Sequence, residues 1–457
     1  MKLLFYKIRL LVILSASVTS LGCSTIEQIK NEPISGKNDT ELTSGTLFSA
    51  ARAGNPKGIT LILAFSGGGT RASALSYGVL EELRDTNVTI GGKSTRLLDE
   101  VDFISSVSGG SITAAYYGLF RDKIFYDFKD KLLTRDLKEQ IISTVLNPLR
   151  WFSNLGITDH TVGIYADAGF GEYTFGDMLE KGPPYIAINA TDLSQGARFS
   201  FLQDYFNLIC SDLSTFPVAR AVAASAAMPL LFDPIVLKNY DTCDIKDSIN
   251  FLSSKTSIGK HSIRNTASAA LSYSNKKERP FVHLVDGGVS DNLGLRIITD
   301  PVELTGGIVN YFSMIHGEDS YSIPRHFAII AVNASVKVDS SMDKSSTPPS
   351  MRQTLNAVTD AQLQLYNNET TDLIKLKLEQ WVDETKTQGI PVEAHLISIE
   401  LKSVSSDRLR NRLNLIPTTL GLPEEEVELL IGTGRKLLRE NPQFQKLLKS
   451  ISSHKTQ

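Results

Sequence analysis

Leu61 to Leu83 reads LILAFSGGGTRASALSYGVLEEL. An apolar run suited to a buried strand ends in three consecutive glycines, and the residues that follow carry their apolar side chains at helical spacing. A strand that turns into a helix through glycines offers backbone N–H groups and the positive end of the helix dipole to whatever lies in front of it. The stretch therefore predicts one strand-to-helix unit of an α/β fold, with a cradle for an anion at its turn. That anion is either a bound phosphate or an oxyanion formed during a reaction. A phosphate-binding loop needs Lys and then Ser or Thr after its last glycine, whereas Thr70-Arg71 follows here at the wrong spacing.

The same texture repeats outward from this unit. Apolar runs ITLILAF (59–65), VDFISSV (101–107), PYIAINA (184–190), FVHLV (281–285) and HFAIIAV (326–332) alternate with helical patterns at Ala72–Leu83, Ile112–Phe120 and Val218–Ala227. That alternation predicts an α/β fold in three layers, a mainly parallel sheet covered by helices. Ser253–Pro280 and Val336–Met351 read as irregular insertions. Beyond them come a long helical pattern, a strand VEAHLISIEL, and a helix on which Val427, Leu430, Ile431, Gly434, Leu437 and Leu438 share a face. We divide the chain into a leader (1–22), a tether (23–45), a catalytic domain (46–335) and a C-terminal part (336–457) that packs on the same core.

Two further turns carry chemistry. DFISSVSGGSITAAYYGLF (102–120) runs a strand into Ser108, then Gly109 and Gly110, then a helix. This is the layout of a nucleophile elbow, in which a tight turn pushes one hydroxyl out of the sheet and small residues two positions to either side let the turn close. Ser106 and Gly110 occupy those places; Ser105, Ser106 and Ser111 are the rival serines. FVHLVDGGVSDNLGLR (281–296) ends a strand at Asp286, turns through Gly287 and Gly288, and offers Asp291 as a helix cap. A carboxylate at a strand end beside such a turn is placed for chemistry in an open α/β sheet.

In this order the three stretches resemble the patatin-like phospholipases. The family pattern has a glycine-rich oxyanion loop followed by a basic residue, matched by Gly67, Gly68, Gly69 and Arg71. It has a serine elbow, matched by Ser108, and an Asp-Gly-Gly with a later Asn, matched by Asp286, Gly287, Gly288 and Asn292. NATDLSQGARFSF from Asn189 and ASAAMPLLFDPI from Ala224 fit softer blocks, so the likeness runs from about Ile59 to Leu295. Ser106 in place of Gly, and Ala72 where many members have Gly, depart from it without removing a catalytic atom. The resemblance implies a serine acyl-ester hydrolase of lipids or phospholipids. Ser108 would be the nucleophile and Asp286 the base, and N–H groups of Gly67, Gly68, Gly69 and Thr70 would hold the oxyanion. Arg71 is left between orienting the loop, attracting a head group and pairing at the surface.

An α/β-hydrolase triad is the rival enzyme reading, in which His316, His326 or His395 would serve. His283 lies three residues before Asp286 on one strand, so alternation points the two apart. A non-catalytic envelope lipoprotein is the reading from another class. No HExxH or CxxC occurs, the seven histidines are scattered, and no carboxylates show calcium-loop spacing, so neither metal nor cofactor is expected.

The 457 residues are 42% hydrophobic and 21% charged, enough to bury a large core in one large or two modest domains. The net charge of −3 and the lack of any Lys/Arg-dense run exclude nucleic acid as a partner class. Residues 1–22 place Lys2, Lys7 and Arg9 before the apolar core LLVILSASV, the pattern of an export signal too short to span a bilayer. Removing it takes the net charge from −3 to −6. Cys23 after Gly22 resembles the lipobox of bacterial lipoproteins, although Ser20 and Leu21 stand where Leu and a small residue are usual. With Ser24 next, that likeness implies a lipid anchor in the outer membrane of a Gram-negative cell. In an oxidising compartment Cys210 and Cys243 are expected to pair.

Overall fold

The computed structural model describes residues 29–34, 58–90, 92–137, 139–140, 156–229, 231–256, 261–316, 323–336, 343 and 346–453. The leader and Cys23 lie outside them. Eight strands form the main sheet: β1 (Ile59–Phe65), β2 (Val101–Val107), β3 (Tyr185–Asp192), β4 (Ala197–Phe201), β5 (Ile235–Lys238), β6 (Phe281–Asp286), β7 (His326–Asn333) and β8 (Glu393–Glu400). β8, β7, β1, β2 and β3 run parallel in that spatial order, while β4 and β6 pair antiparallel with β3, and β5 with β6.

Because side chains alternate along a strand, a sheet buried on both faces feeds two cores. Leu61, Leu63 and Phe65 of β1 enter one core, and Ile62 and Ala64 enter the other. The first core is covered by α1 (Gly69–Asp85), α2 (Gly109–Phe120) and α3 (Val218–Ser225). The second is covered by α6 (Arg296–Thr305) and α7 (Met351–Thr387). This is the expected three-layer α/β/α arrangement.

The C-terminal part completes both the sheet and the first core. β8 pairs with β7 over eight residues, and Val427, Leu430, Ile431 and Leu438 of α8 (Glu424–Arg439) are buried. α1 and α8 cross so closely that a Cβ on Gly78 would stand 2.2 Å from the Ile431 carbonyl, and one on Gly434 would stand 2.5 Å from that of Leu75. Glycine is required at both crossing points because no larger residue leaves room for the facing backbone. A last helix, α9 (Pro442–Ser453), follows.

Two expectations are corrected. Ser253–Pro280 is no irregular insertion: α4 (Lys246–Thr256) and α5 (His261–Ser272) fill much of it, with Ile263, Ala267 and Tyr273 buried. Their apolar residues are few and set among Ser, Lys and Asn, so the helical period is faint. Within the stretch expected to be a featureless tether, residues 29–34 are docked. Glu32–Pro33 pairs with Ser211–Asp212, and buried Asn31 donates to the Lys238 carbonyl and accepts from its N–H, both at 2.9 Å. Hydrogen bonds rather than apolar burial hold this segment, and hydropathy does not register them. Among the described residues, no helix is long and apolar enough to cross a membrane.

Candidate active site

Ser108 joins β2 to α2 with φ 49° and ψ −120°, a backbone conformation rare for a residue with a side chain. Such strain costs on the order of 1–3 kcal/mol and persists only where the surroundings impose it. Here they do. The Ser108 N–H donates to Ser225 Oγ at 2.8 Å, and the Ser225 hydroxyl donates to the Asn189 carbonyl at 2.6 Å. A Cβ on Gly109 would stand 2.0 Å from the Gly69 carbonyl, and one on Gly110 would stand 2.6 Å from that of Phe65. Gly109 is thus fixed by the close approach of the Gly67–Gly69 loop, and Gly110 by the carbonyls of Phe65 and Ser66 where β1 ends. The rival serines have other tasks: Ser105 donates to the Gly294 carbonyl, Ser106 to that of Ala187, and Ser111 shares a hydrogen bond with Ser225.

Strand register brings Asp286 to this serine. A strand has two edges, and β4 occupies one edge of β3 from Ile188 to Asp192. β2, paired with Tyr185–Asn189, and β6, paired with Ala190–Asp192, must therefore share the opposite edge. They run toward each other along it. Val107 lies beside Asn189 and Asp286 beside Ala190, so Ser108 and Asp286 meet head to head. The Asp286 carboxylate accepts the Gly288 N–H at 2.7 Å, and the Ser108 hydroxyl lies close enough to help lower its pKa. Burial pushes its pKa up to about 6, against the lowering effect of those two donors. Fully buried Tyr165 lies close enough to feel the same charge; burial first, and Asp286 second, push its phenol up.

The glycine loop closes the third side. Gly68 has φ 137° and Gly69 φ 59°, conformations that favour glycine. Two expected oxyanion donors are committed elsewhere, which corrects the donor set: Gly67 N–H donates to the Asn292 carbonyl at 3.1 Å and Thr70 N–H to the Thr419 carbonyl at 2.8 Å. Among the described residues, the N–H groups of Gly68 and Gly69 have no acceptor. Asn292 also presses its amide oxygen against the loop, 2.6 Å from where a Cβ on Gly67 would lie. Gly287 is held as tightly, since its Cβ would meet the Asn189 carbonyl at 2.3 Å.

Arg71 takes only the first of its three expected roles. It is buried, and its guanidinium donates to the carbonyls of Ala334 (2.9 Å) and Ile416 (2.6 Å) and to Thr418 Oγ1 (3.0 Å). Burial draws its pKa down to about 10, with Asp360 opposing. The start of α1 is thereby tied to the C-terminal part.

Two of the triad candidates, His326 and His395, stand apart from this cluster. His326 pairs with Ile59 at the start of β1, six residues before the end that carries the glycine loop, a span of about 20 Å. His395 lies near the same far end of the sheet. His283 is exposed, and the side chain of His316 lies outside the described residues. Among the described residues no histidine bonds to Ser108 or Asp286. Sequence reading missed Ser225 and Thr419, which lie in the ASAAMP block and in a Thr-Thr pair without any local motif. Cys210 and Cys243 are disulfide-bonded with Cα atoms 5.4 Å apart, as expected.

A serine on a strained strand-to-helix turn, facing a desolvated carboxylate and a glycine loop in a three-layer α/β sheet, defines an ester hydrolase. The family model for patatin-like phospholipase matches residues 63–298, more than half of the chain, and the protein belongs to that family. It is accordingly a lipid ester hydrolase. Among solved structures, human GIVD cytosolic phospholipase A2 is similar at 13% identity and a TM-score of 0.41, covering 94% of this chain and 68% of that one. VipD from Legionella pneumophila is similar at 12% identity and a TM-score of 0.31, covering 93% and 71%. A comparison with curated proteins finds no match.

Proposed function

We propose that this protein cleaves acyl esters of membrane lipids through a Ser108–Asp286 dyad. The observation that carries this reading is the head-to-head meeting of Ser108 with Asp286, a carboxylate whose pKa is raised by burial to about 6. A base near neutrality accepts a proton while remaining ionised at working pH, which is the compromise that general-base catalysis needs.

Ser108 Oγ attacks the acyl carbonyl carbon as its proton passes to Asp286. The carbonyl electrons move onto oxygen, and the N–H groups of Gly68 and Gly69 stabilise that charge. Collapse of the intermediate breaks the ester bond, and the departing alkoxide takes the proton from Asp286. Water, deprotonated by the same carboxylate, then attacks the acyl-serine; the bond to Ser108 Oγ breaks, the serine recovers the proton from Asp286, and the fatty acid leaves. Neither step calls for a histidine.

Export and an N-terminal lipid on Cys23 belong to the same proposal, because an anchored hydrolase works at a high local concentration of acyl chains. A fluorophosphonate probe tests the core of the reading. It should modify Ser108 alone, and Asp286→Asn should abolish the labelling; modification of another serine, or none in a folded protein, rejects the dyad. Intact mass of the membrane-extracted protein tests the anchor: Cys23 should begin the mature chain and carry fatty acid, and an unmodified mass rejects it.

A further inference from the structure

At the end of the sheet remote from Ser108, the pairing of β7 with β8 brings one residue of β7 to two neighbours on β8. The parallel register sets His326 beside Glu393. Glu393 and His395 are two apart on one strand, so all three side chains leave the same face of the sheet. His326 Nδ1 lies 4.0 Å and His395 Nε2 3.8 Å from Glu393 Oε2, and the three atoms all lie within 4.8 Å of one another. We infer that His326, Glu393 and His395 form a site for a divalent transition-metal cation of the Zn2+ type.

His395 supplies the second observation. It is 1% exposed, yet neither of its ring nitrogens has a hydrogen-bond partner among the described residues. A buried polar group left unsatisfied destabilises the fold, and a bound cation would recover that loss.

The donor set selects the ion. Two imidazoles and one carboxylate suit Zn2+ rather than Mg2+ or Ca2+, which prefer oxygen ligands. Tetrahedral zinc with ligands at about 2.0–2.2 Å needs donor atoms near 3.4 Å apart, a closure of about 1 Å that side-chain rotation supplies. The Glu393 side chain is 46% exposed, which leaves an entry path and a coordination position for water. Ser450 of α9 donates to Glu393 Oε2 at 2.6 Å and orients the carboxylate. Lys446, also on α9, lies near His395, and its positive charge limits the affinity for a cation. Remote from the ester chemistry, the ion would clamp the edge strand β8 and α9 onto β7.

The full chain, stripped with a chelator and dialysed, is titrated with Zn2+ by calorimetry, with Mg2+ as the control. One saturable equivalent of Zn2+ and a rise in the thermal midpoint are expected, with no heat from Mg2+ at the same concentrations. Glu393→Gln keeps shape at a partly exposed position, and His395→Gln keeps a polar side chain; each should weaken Zn2+ binding at least tenfold. If His395→Gln does not fold, Glu393→Gln decides alone. Absence of saturable binding, or binding unchanged in Glu393→Gln, overturns the assignment.

Discussion

Replacing Asp286 by Asn should make the protein inactive and, at alkaline pH, more stable. The folded carboxyl titrates at about 6 rather than at its ordinary 3.8 because burial penalises its charge. A carboxyl whose folded pKa is raised stabilises the fold fully only below its unfolded pKa, and that contribution is lost as pH rises through the folded value. With a shift of roughly 2 units, the ionised group costs the native state about 3 kcal/mol above pH 7 and nothing below about pH 4. Asn carries no charge at any of these pH values and can still accept the Gly288 N–H now held at 2.7 Å. Thermal unfolding of both proteins from pH 4 to pH 8 should therefore show a gap in favour of the variant that opens through pH 6. Because that shift is already net of the two donors, the gap at pH 8 should be about 3 kcal/mol. Turnover of a lipid ester should meanwhile fall by about 10²–10⁴, the usual contribution of a general base. A variant no more stable than the parent at pH 8, or one offset by the same amount at pH 4 and pH 8, would show that the carboxylate is not desolvated as argued.

Other outcomes follow from the contacts around the elbow. Gly109→Ala places a methyl 2.0 Å from the Gly69 carbonyl and must displace the glycine loop, so labelling by a fluorophosphonate should slow by at least about 10²-fold; an unchanged rate contradicts the close approach. Arg71→Lys cannot span the Ala334, Ile416 and Thr418 acceptors together, and a loss of about 2–4 kcal/mol in urea unfolding is expected; an unmoved midpoint denies the clamp. Joint replacement of Cys210 and Cys243 by Ser should cost about 4 kcal/mol on chain-entropy grounds for a separation of 33 residues, read as a fall in the thermal midpoint that reductant reproduces in the parent.

The site combines two opposed demands. Ser108 is held in a strained conformation and Asp286 in a desolvated one, and both cost stability that the two cores must supply. The supports are therefore rigid and drawn from distant parts of the chain: Ser225 under the elbow, Asn292 under the glycine loop, Thr419 and Arg71 at its rear. Removing any of them should affect rate through geometry rather than through chemistry.

Local order carried much of this in the sequence alone. Strands at 59–65 and 101–107 were legible to the residue, because a buried strand must be an unbroken apolar run and the glycines after it mark the turn. Ser108 and Asp286 were legible for the same reason, each standing where a strand ends and glycine permits a sharp change of direction. What no local pattern holds is which strand ends meet. The head-to-head approach of β2 and β6 follows from β4 occupying the other edge of β3, a fact of register between segments nearly a hundred residues apart. Commitment of the Gly67 and Thr70 N–H groups, the burial of Arg71 and the meeting of His326 with Glu393 and His395 are of that kind. Spacing along a chain determines which face of a strand or helix a residue joins. Only the packing of those faces determines which donor finds which acceptor and which charge loses its water.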